Sequence, residues 1–257
     1  MRFVKKSLGQ NFLIDTNIIR KIIRTVDIKS RNILEIGPGK GALTNQILRL
    51  KPKTFSVIEK DDKLASSLIK KFQNFKNFKV NNKDFLRCDI EKIIKKDTII
   101  FGNLPYNISS QILIKLIKTK IWPPSYTDLI LMFQKEVADK ILGRTYGRLT
   151  ISSNYRLKVS KKFEISPNCF FPKPKVISTV LHFKPKIETI YKINNFENLE
   201  KITNIFFSNR RKIIKNSLQK ILTKEKLIKL RNLDLNQRPE DLQPEIFYKI
   251  VQLYEEK

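Results

Sequence analysis

Very little in this chain suits a disulfide-stabilised, metal-binding or membrane-embedded protein. Two cysteines among 257 residues, Cys88 and Cys169, give no disulfide framework and no metal-ligand spacing. No metal is therefore expected. The single histidine, His182, sits in an alternating apolar run with Val180, Leu181 and Phe183 and reads as a strand residue, so histidine acid–base chemistry is not expected. No apolar run approaches the roughly 20 residues that a membrane span requires. Arg2, Lys5 and Lys6 are not followed by the apolar stretch of a signal peptide. The expectation is a soluble, cytoplasmic protein. Acidic residues are scarce as well, 24 against 52 lysines and arginines, for a net charge of +28. Such an excess suits a polyanionic partner: RNA, DNA or an anionic membrane surface. Lysine outnumbers arginine, 39 to 13, and isoleucine and asparagine abound, which is also how A/T-rich codon usage drifts. Nucleic acid is the favoured partner.

At this length the chain holds one sizeable domain and a smaller appendage. Ile14, Ile18, Ile19, Ile22, Ile23 and Val26 recur at helical spacing, so a helix precedes the first strand. Residues 32–36, 54–58, 98–101 and 128–133 then read as strands. The stretches Leu43–Leu50, Lys63–Phe72 and Ser109–Lys118 read as the intervening helices. That alternation indicates an α/β fold with a mostly parallel, doubly wound sheet. Beyond Gly147, Ile151–Val159 and Ser178–Phe183 suit an antiparallel pair at the sheet edge. After Lys184-Pro185-Lys186 the pattern is helical. The expected domains are 1–185 and 186–257.

Of only seven glycines, three fall in Glu35-Ile36-Gly37-Pro38-Gly39-Lys40-Gly41, where the first apolar run turns into a helix. Glycines there allow a tight turn and close approach of backbone to a ligand, and the stretch matches the relaxed dinucleotide fingerprint. Glu59 ends the second strand, where a carboxylate can accept from a ribose diol; NAD and S-adenosylmethionine both fit. Asp84 follows a short apolar run that reads as a third strand, with Phe85 beside it, placed to accept from an adenine amine. Asn103-Leu104-Pro105-Tyr106 ends the fourth strand and matches the Asn/Asp-Pro-Pro-Tyr type motif of methyltransferases acting on base amines. An adenine N6 lone pair is delocalised into the ring and is a poor nucleophile. Acceptors on both N6 hydrogens, the Asn103 amide oxygen and the Leu104 carbonyl, favour a pyramidal nitrogen. Pro105 stiffens the turn, and Tyr106 offers a stacking face.

Lys6-Ser-Leu-Gly-Gln10-Asn11-Phe12-Leu13, the glycine turn, Asn103–Tyr106 and Phe170-Phe171-Pro172-Lys173-Pro174-Lys175-Val176 together resemble the rRNA adenine N6-dimethyltransferase family, from about Lys5 to Val251. The resemblance is closer to the small-subunit branch, which dimethylates two adjacent adenines near the 3′ end of 16S rRNA. It implies a Rossmann-like, seven-stranded class I methyltransferase sheet with a small all-α C-terminal domain that binds RNA. It implies S-adenosylmethionine as cofactor, held by Asn11, Leu13, Gly37, Glu59, Asp84 and Asn103, with Gln10 helping to close the site. It implies Asn103, Leu104, Pro105 and Tyr106 as the catalytic turn, and Phe170 stacking on the target adenine opposite Tyr106; adjacent Phe171 makes that last position ambiguous by one residue. The run Phe206–Ser217 resembles the family's basic helix, with Arg210, Arg211 and Lys215 facing RNA phosphates and Ile205, Phe206, Ile213 and Ile214 facing a small core. The implied partner is 16S rRNA in an immature small subunit, bound by a monomer.

Other readings exist. An NAD-dependent oxidoreductase explains the glycines and Glu59 but not Asn103–Tyr106 or the charge. A DNA adenine methyltransferase shares the chemistry but would need a target-recognition segment. A non-catalytic ribosome assembly factor would not need the intact motifs, and the resistance-type branch acting on large-subunit rRNA is the nearest competitor within the family.

Overall fold

Strands whose two faces are both covered read as unbroken apolar runs, and this chain has several. The computed structural model describes residues 10–256, so Lys6–Gly9 of the N-terminal motif lie outside the described residues. The strands are β1 (Phe12–Leu13), β2 (Asn32–Ile36), β3 (Thr54–Glu59), β4 (Phe78–Asn82), β5 (Thr98–Asn103), β6 (Tyr126–Gln134), β7 (Leu157–Ile165), β8 (Phe170–Phe171) and β9 (Ser178–Pro185). Between and after them run the helices α1 (Thr16–Ile23), α2 (Ala42–Arg49), α3 (Asp62–Lys71), α4 (Ile90–Ile93), α5 (Ser109–Ile117), α6 (Lys135–Ile141), α7 (Arg148–Arg156), α8 (Phe196–Ser208), α9 (Lys215–Gln219), α10 (Lys224–Ile228) and α11 (Pro244–Glu255).

Seven strands form one sheet in the order β4-β3-β2-β5-β6-β9-β7. The first five run parallel, and β9 pairs antiparallel with β6. This is the doubly wound α/β sheet the sequence predicts. Its order reverses at β2, flanked by β3 on one side and β5 on the other. The carboxyl ends of those strands therefore diverge and open a crevice, where ligands of such sheets bind. In β5 and β6 nearly every residue is buried, whereas the edge strand β7 alternates partly buried and exposed positions between buried ends and carries lysines. On β9, His182 is a buried strand residue whose Nε2 lies 2.7 Å from Asp128 Oδ1 on β6.

The chain divides into two compact units. One comprises residues up to Ala138 together with Lys158–Pro185; the other comprises Asp139–Leu157 and Lys186 onward. The segment 139–157, which the sequence places with the sheet domain, thus groups with the helices. Part of it departs from expectation in another way: Ile151–Arg156 is helical, and the edge strand begins only at Leu157. Ile151 and Tyr155, four residues apart, bury the same face of α7. The Tyr248 hydroxyl donates to the Ile151 carbonyl at 2.8 Å, and the Tyr155 and Tyr248 rings lie 5.0 Å apart. Tertiary packing overrides the strand pattern of Ile151–Val159.

A second correction concerns the basic run. Helix α8 ends at Ser208 and α9 starts at Lys215, so Arg210 and Arg211 sit in a turn rather than on one helix. The backbone N–H groups of Ile214 and Lys215 donate to Gln237 and Leu235, fixing that turn. Phe206 and Ile214 are buried as expected, but Ile213 is exposed.

The short strand β8 separates its two phenylalanines. Phe171 is 49% exposed, while Phe170 is 3% exposed and packed in the core of the sheet unit with Leu13, Ile22, Ile165 and Val180. Phe170→Ala should cost about 3–5 kcal/mol of unfolding free energy in urea titrations, and Phe171→Ala should stay within about 0.5 kcal/mol of the parent. Equal losses, or a larger loss at Phe171, would contradict this placement.

Candidate active site

Where β2 gives way to α2, the backbone turns through Gly37, Gly39 and Gly41, all at positive φ. At Gly39 a Cβ would lie 2.9 Å from the Phe12 ring, and at Gly41 one would lie 2.8 Å from Leu68. Any larger residue would therefore be strained in both backbone and packing. The N–H of Gly39 donates to Glu59 Oε2 at 3.0 Å, and that of Asp61 donates to Oε1 at 2.9 Å. One buried carboxylate thus joins the glycine turn to the start of α3. Burial pushes the Glu59 carboxyl above its ordinary range, and the neighbouring Asp61 adds to this, while the N–H donors work against it.

Asp84 accepts from the Leu86 N–H at 3.0 Å and caps the short 3-10 turn Phe85–Arg87. Lys60 lies 2.9 Å from its other oxygen, and this hydrogen-bonded ammonium holds the carboxyl below its usual range. At the end of β5, the Asn103 side-chain amide donates through Nδ2 to the Asn11 carbonyl at 3.0 Å. That bond uses the nitrogen and leaves Oδ1 as an acceptor. Leu104 folds back over Gly102, where a Cβ would come within 2.6 Å of it. The Tyr106 hydroxyl is 2.6 Å from Ser178 Oγ on β9, which fixes the ring at the edge of the turn.

These residues surround one cavity of about 220 Å³. Asn11, Leu13, Gly37, Glu59, Asp84 and Asn103 all line it, as do Gln10, Leu104, Pro105 and Tyr106. Phe170 does not. Arg210, Arg211 and Lys215 belong to the other unit and are exposed. Arg210 is already matched, its Nε 2.6 Å from Glu240. Among the described residues no group of three or more His, Cys, Asp or Glu is placed to hold a metal ion, and no helix is long and apolar enough to cross a membrane.

A family model described as ribosomal RNA adenine dimethylase matches residues 1–256. The chain belongs to the ribosomal RNA adenine dimethylase family. A relative named ribosomal RNA small subunit methyltransferase A, from Pelagibacter ubique, is 45% identical over 98% of this chain and 97% of its own. One of the same name from Francisella tularensis is 41% identical over 93% and 92%. A solved dimethyladenosine transferase from Plasmodium falciparum superposes with a TM-score of 0.79 at 29% identity, covering 94% of this chain and 96% of that one. The 23S rRNA methyltransferase ErmE shares the fold, with a TM-score of 0.71 at 22% identity over 95% and 100%. This dimethylase is therefore a methyltransferase with a class I fold, and its family implies S-adenosylmethionine as methyl donor.

The donor set fits that cofactor. Glu59 and Asp84 are carboxylates, a chemistry able to accept from hydroxyl and amine groups, the glycine turn allows close backbone approach, and Ile58 and Ile112 supply apolar wall. Sequence reasoning passed over two contributors. Lys40 lines the cavity with its ammonium 4.9 Å from the Phe12 ring centroid. Glu35 also lines it, almost fully buried, and accepts from Thr44 Oγ1 at 2.6 Å. Its signal was an acid inside the apolar run Ile33–Ile36. Burial, helped by the charge of Glu59 and opposed by the Thr44 bond, pushes its carboxyl to about 8. Glu35 is then protonated in the folded protein and ionised in the unfolded chain between its ordinary value and about 8. Stability should fall as pH rises through that window. Glu35→Gln, which keeps an acceptor for Thr44, should flatten the slope in urea titrations from pH 5 to 8; an unchanged slope would mean that the carboxyl is ionised in the fold.

Proposed function

We propose that this dimethylase transfers methyl groups from S-adenosylmethionine to N6 of two adjacent adenines in the 3′-terminal hairpin loop of 16S rRNA, within an immature small ribosomal subunit, acting as a monomer. The relatives named as small-subunit methyltransferases support the substrate. The observation that carries the chemistry is the Asn103 amide. With Nδ2 given to the Asn11 carbonyl, Oδ1 is left to accept from a substrate amine. In this reading residues 1–185 carry the chemistry and 186–257 contribute RNA contacts through Arg211 and Lys215, with Arg210 shared with Glu240.

S-adenosylmethionine supplies, when bound, an electrophilic methyl group on a sulfonium. Glu59 would accept from the ribose hydroxyls and Asp84 from the adenine amine, beside Phe85. Gln10, Asn11, Leu13 and Gly37 complete the walls. The target adenine must leave its stack to reach this depth, and a face of Tyr106 offsets part of that cost, about 1–3 kcal/mol per stacked base. Asn103 Oδ1 and the Leu104 carbonyl accept the two N6 hydrogens and draw the nitrogen toward a pyramidal form. With the cofactor bound, an N–C bond would form as its S–C bond broke and the N6 proton would then pass to solvent, so no strong base is needed. After one transfer a single N6 hydrogen is left, and one acceptor suffices for the second. The stacking role that the resemblance gives to Phe170 requires that ring to leave the core. Phe171, exposed and with Lys40 Nζ 6.0 Å from its centroid, is the alternative on the same strand.

Incubation with labelled S-adenosylmethionine and undermethylated 30S or 50S subunits, followed by nucleoside mass mapping, tests the assignment. Label should appear as dimethyladenosine in 16S rRNA only; label confined to 50S subunits would overturn it. In calorimetry Glu59→Ala should weaken cofactor binding by about 1–3 kcal/mol, because buried polar groups lose their partner; unchanged affinity in a folded variant would remove Glu59 from the site.

A further inference from the structure

Helix α1 has two unlike faces. Ile19, Ile22 and Ile23 are buried in the core of the sheet unit. Asn17, Arg20, Lys21 and Arg24 are all exposed and together line a separate concavity of about 340 Å³. At a rise of 1.5 Å per residue this stripe extends about 10 Å along the helix. Among the described residues no carboxylate pairs with any of the three cations. The acids next to the helix are already engaged. Asp15 Oδ1 caps the helix by accepting from the Asn17 and Ile18 N–H groups, and Oδ2 faces the Cys169 thiol. Asp27 accepts from the Lys29 N–H. Lys21 Nζ stands 4.3 Å from the Phe163 ring centroid on β7, so an aromatic face holds this ammonium without neutralising it.

We propose that this outward face of α1 docks the phosphate backbone of an RNA duplex, as a surface separate from the base-binding cavity. The proposal rests on RNA being the substrate. A row of unneutralised cations on a rigid helix suits a polyanion, through net charge. A membrane surface suits it poorly, since the apolar face that would insert is spent in the core. Leu13, which lines the cavity, lies three residues before α1 begins, with the capping Asp15 between them. Duplex held on α1 is therefore tethered close to where an extruded base must arrive.

The test is the salt dependence of binding by the full chain to a short A-form RNA duplex and to undermethylated 30S subunits. Replacing Arg20, Lys21 and Arg24 together with Gln should lower the slope of log affinity against log salt by about 2–3, one unit per lost phosphate contact. Affinity at low salt should fall 10-fold or more, with the melting transition kept. The R20K/R24K variant, which preserves charge, should bind as the parent does, and R24Q alone should remove about one unit of slope. Combining the triple change with Arg211→Gln and Lys215→Gln should add the two losses. An unchanged slope in the triple variant, or failure of R20K/R24K to bind, overturns the proposal. Because duplex binding is read without methylation, absence of dimethyladenosine in 30S subunits would sink the substrate assignment and leave this result standing.

Discussion

The hydrogen bond from the Asn103 amide to the Asn11 carbonyl joins two parts of the site that the sequence keeps 92 residues apart. It ties the N-terminal segment, which also lines the cavity, to the end of β5 and occupies the nitrogen of the amide. Everything around it depends on the same strand ends. β5 delivers Asn103, β3 delivers Glu59 and β2 delivers the glycine turn, all at the point where the order of the sheet reverses. Glu59 then ties two of those ends together through the N–H groups of Gly39 and Asp61. Polar groups of the site hold one another without a ligand, the arrangement by which preorganised acceptors stabilise charge as it develops.

The cavity is more balanced in charge than the chain as a whole. The chain carries +28 overall, whereas the cavity is lined by Glu35, Glu59 and Asp84 together with Lys40, Lys60 and Lys83, Lys60 being paired to Asp84. A polyanion such as RNA suits the basic exterior. Two close buried carboxylates cannot both ionise cheaply in a low dielectric. Holding Glu35 protonated spares the Glu59 carboxylate that repulsion.

Much of this was legible in the sequence. The strands at 32–36, 54–58, 98–101 and 128–133 stand where the apolar runs predict them, because central parallel strands are buried on both faces. The glycine turn, Glu59, Asp84 and Asn103–Tyr106 meet in one cavity because they stand at or just after the carboxyl ends of the neighbouring parallel strands β2, β3, β4 and β5. What failed to show were features settled by packing between distant segments. Ile151–Val159 passes for a strand because Tyr155, Leu157 and Val159 alternate, but packing of Tyr155 against Tyr248 accompanies a helix through Arg156. The basic run after Ser208 is bent by bonds to Gln237 and Leu235, some twenty residues downstream. Phe170 and Phe171 are indistinguishable in a motif and are separated only by which side of β8 meets the core. Glu35 hid within an apolar run because burial, rather than residue type, sets its character.

The central claim is that the Asn103 amide oxygen, aimed by Asn11, supports methyl transfer. It is tested most directly by the single-turnover rate of Asn103→Ala on undermethylated 30S subunits at saturating S-adenosylmethionine. The account predicts a fall of about 100-fold or more, comparable to losing one preorganised hydrogen-bonding group, with RNA affinity little changed. Dimethyladenosine formation near the wild-type rate under those conditions would contradict it.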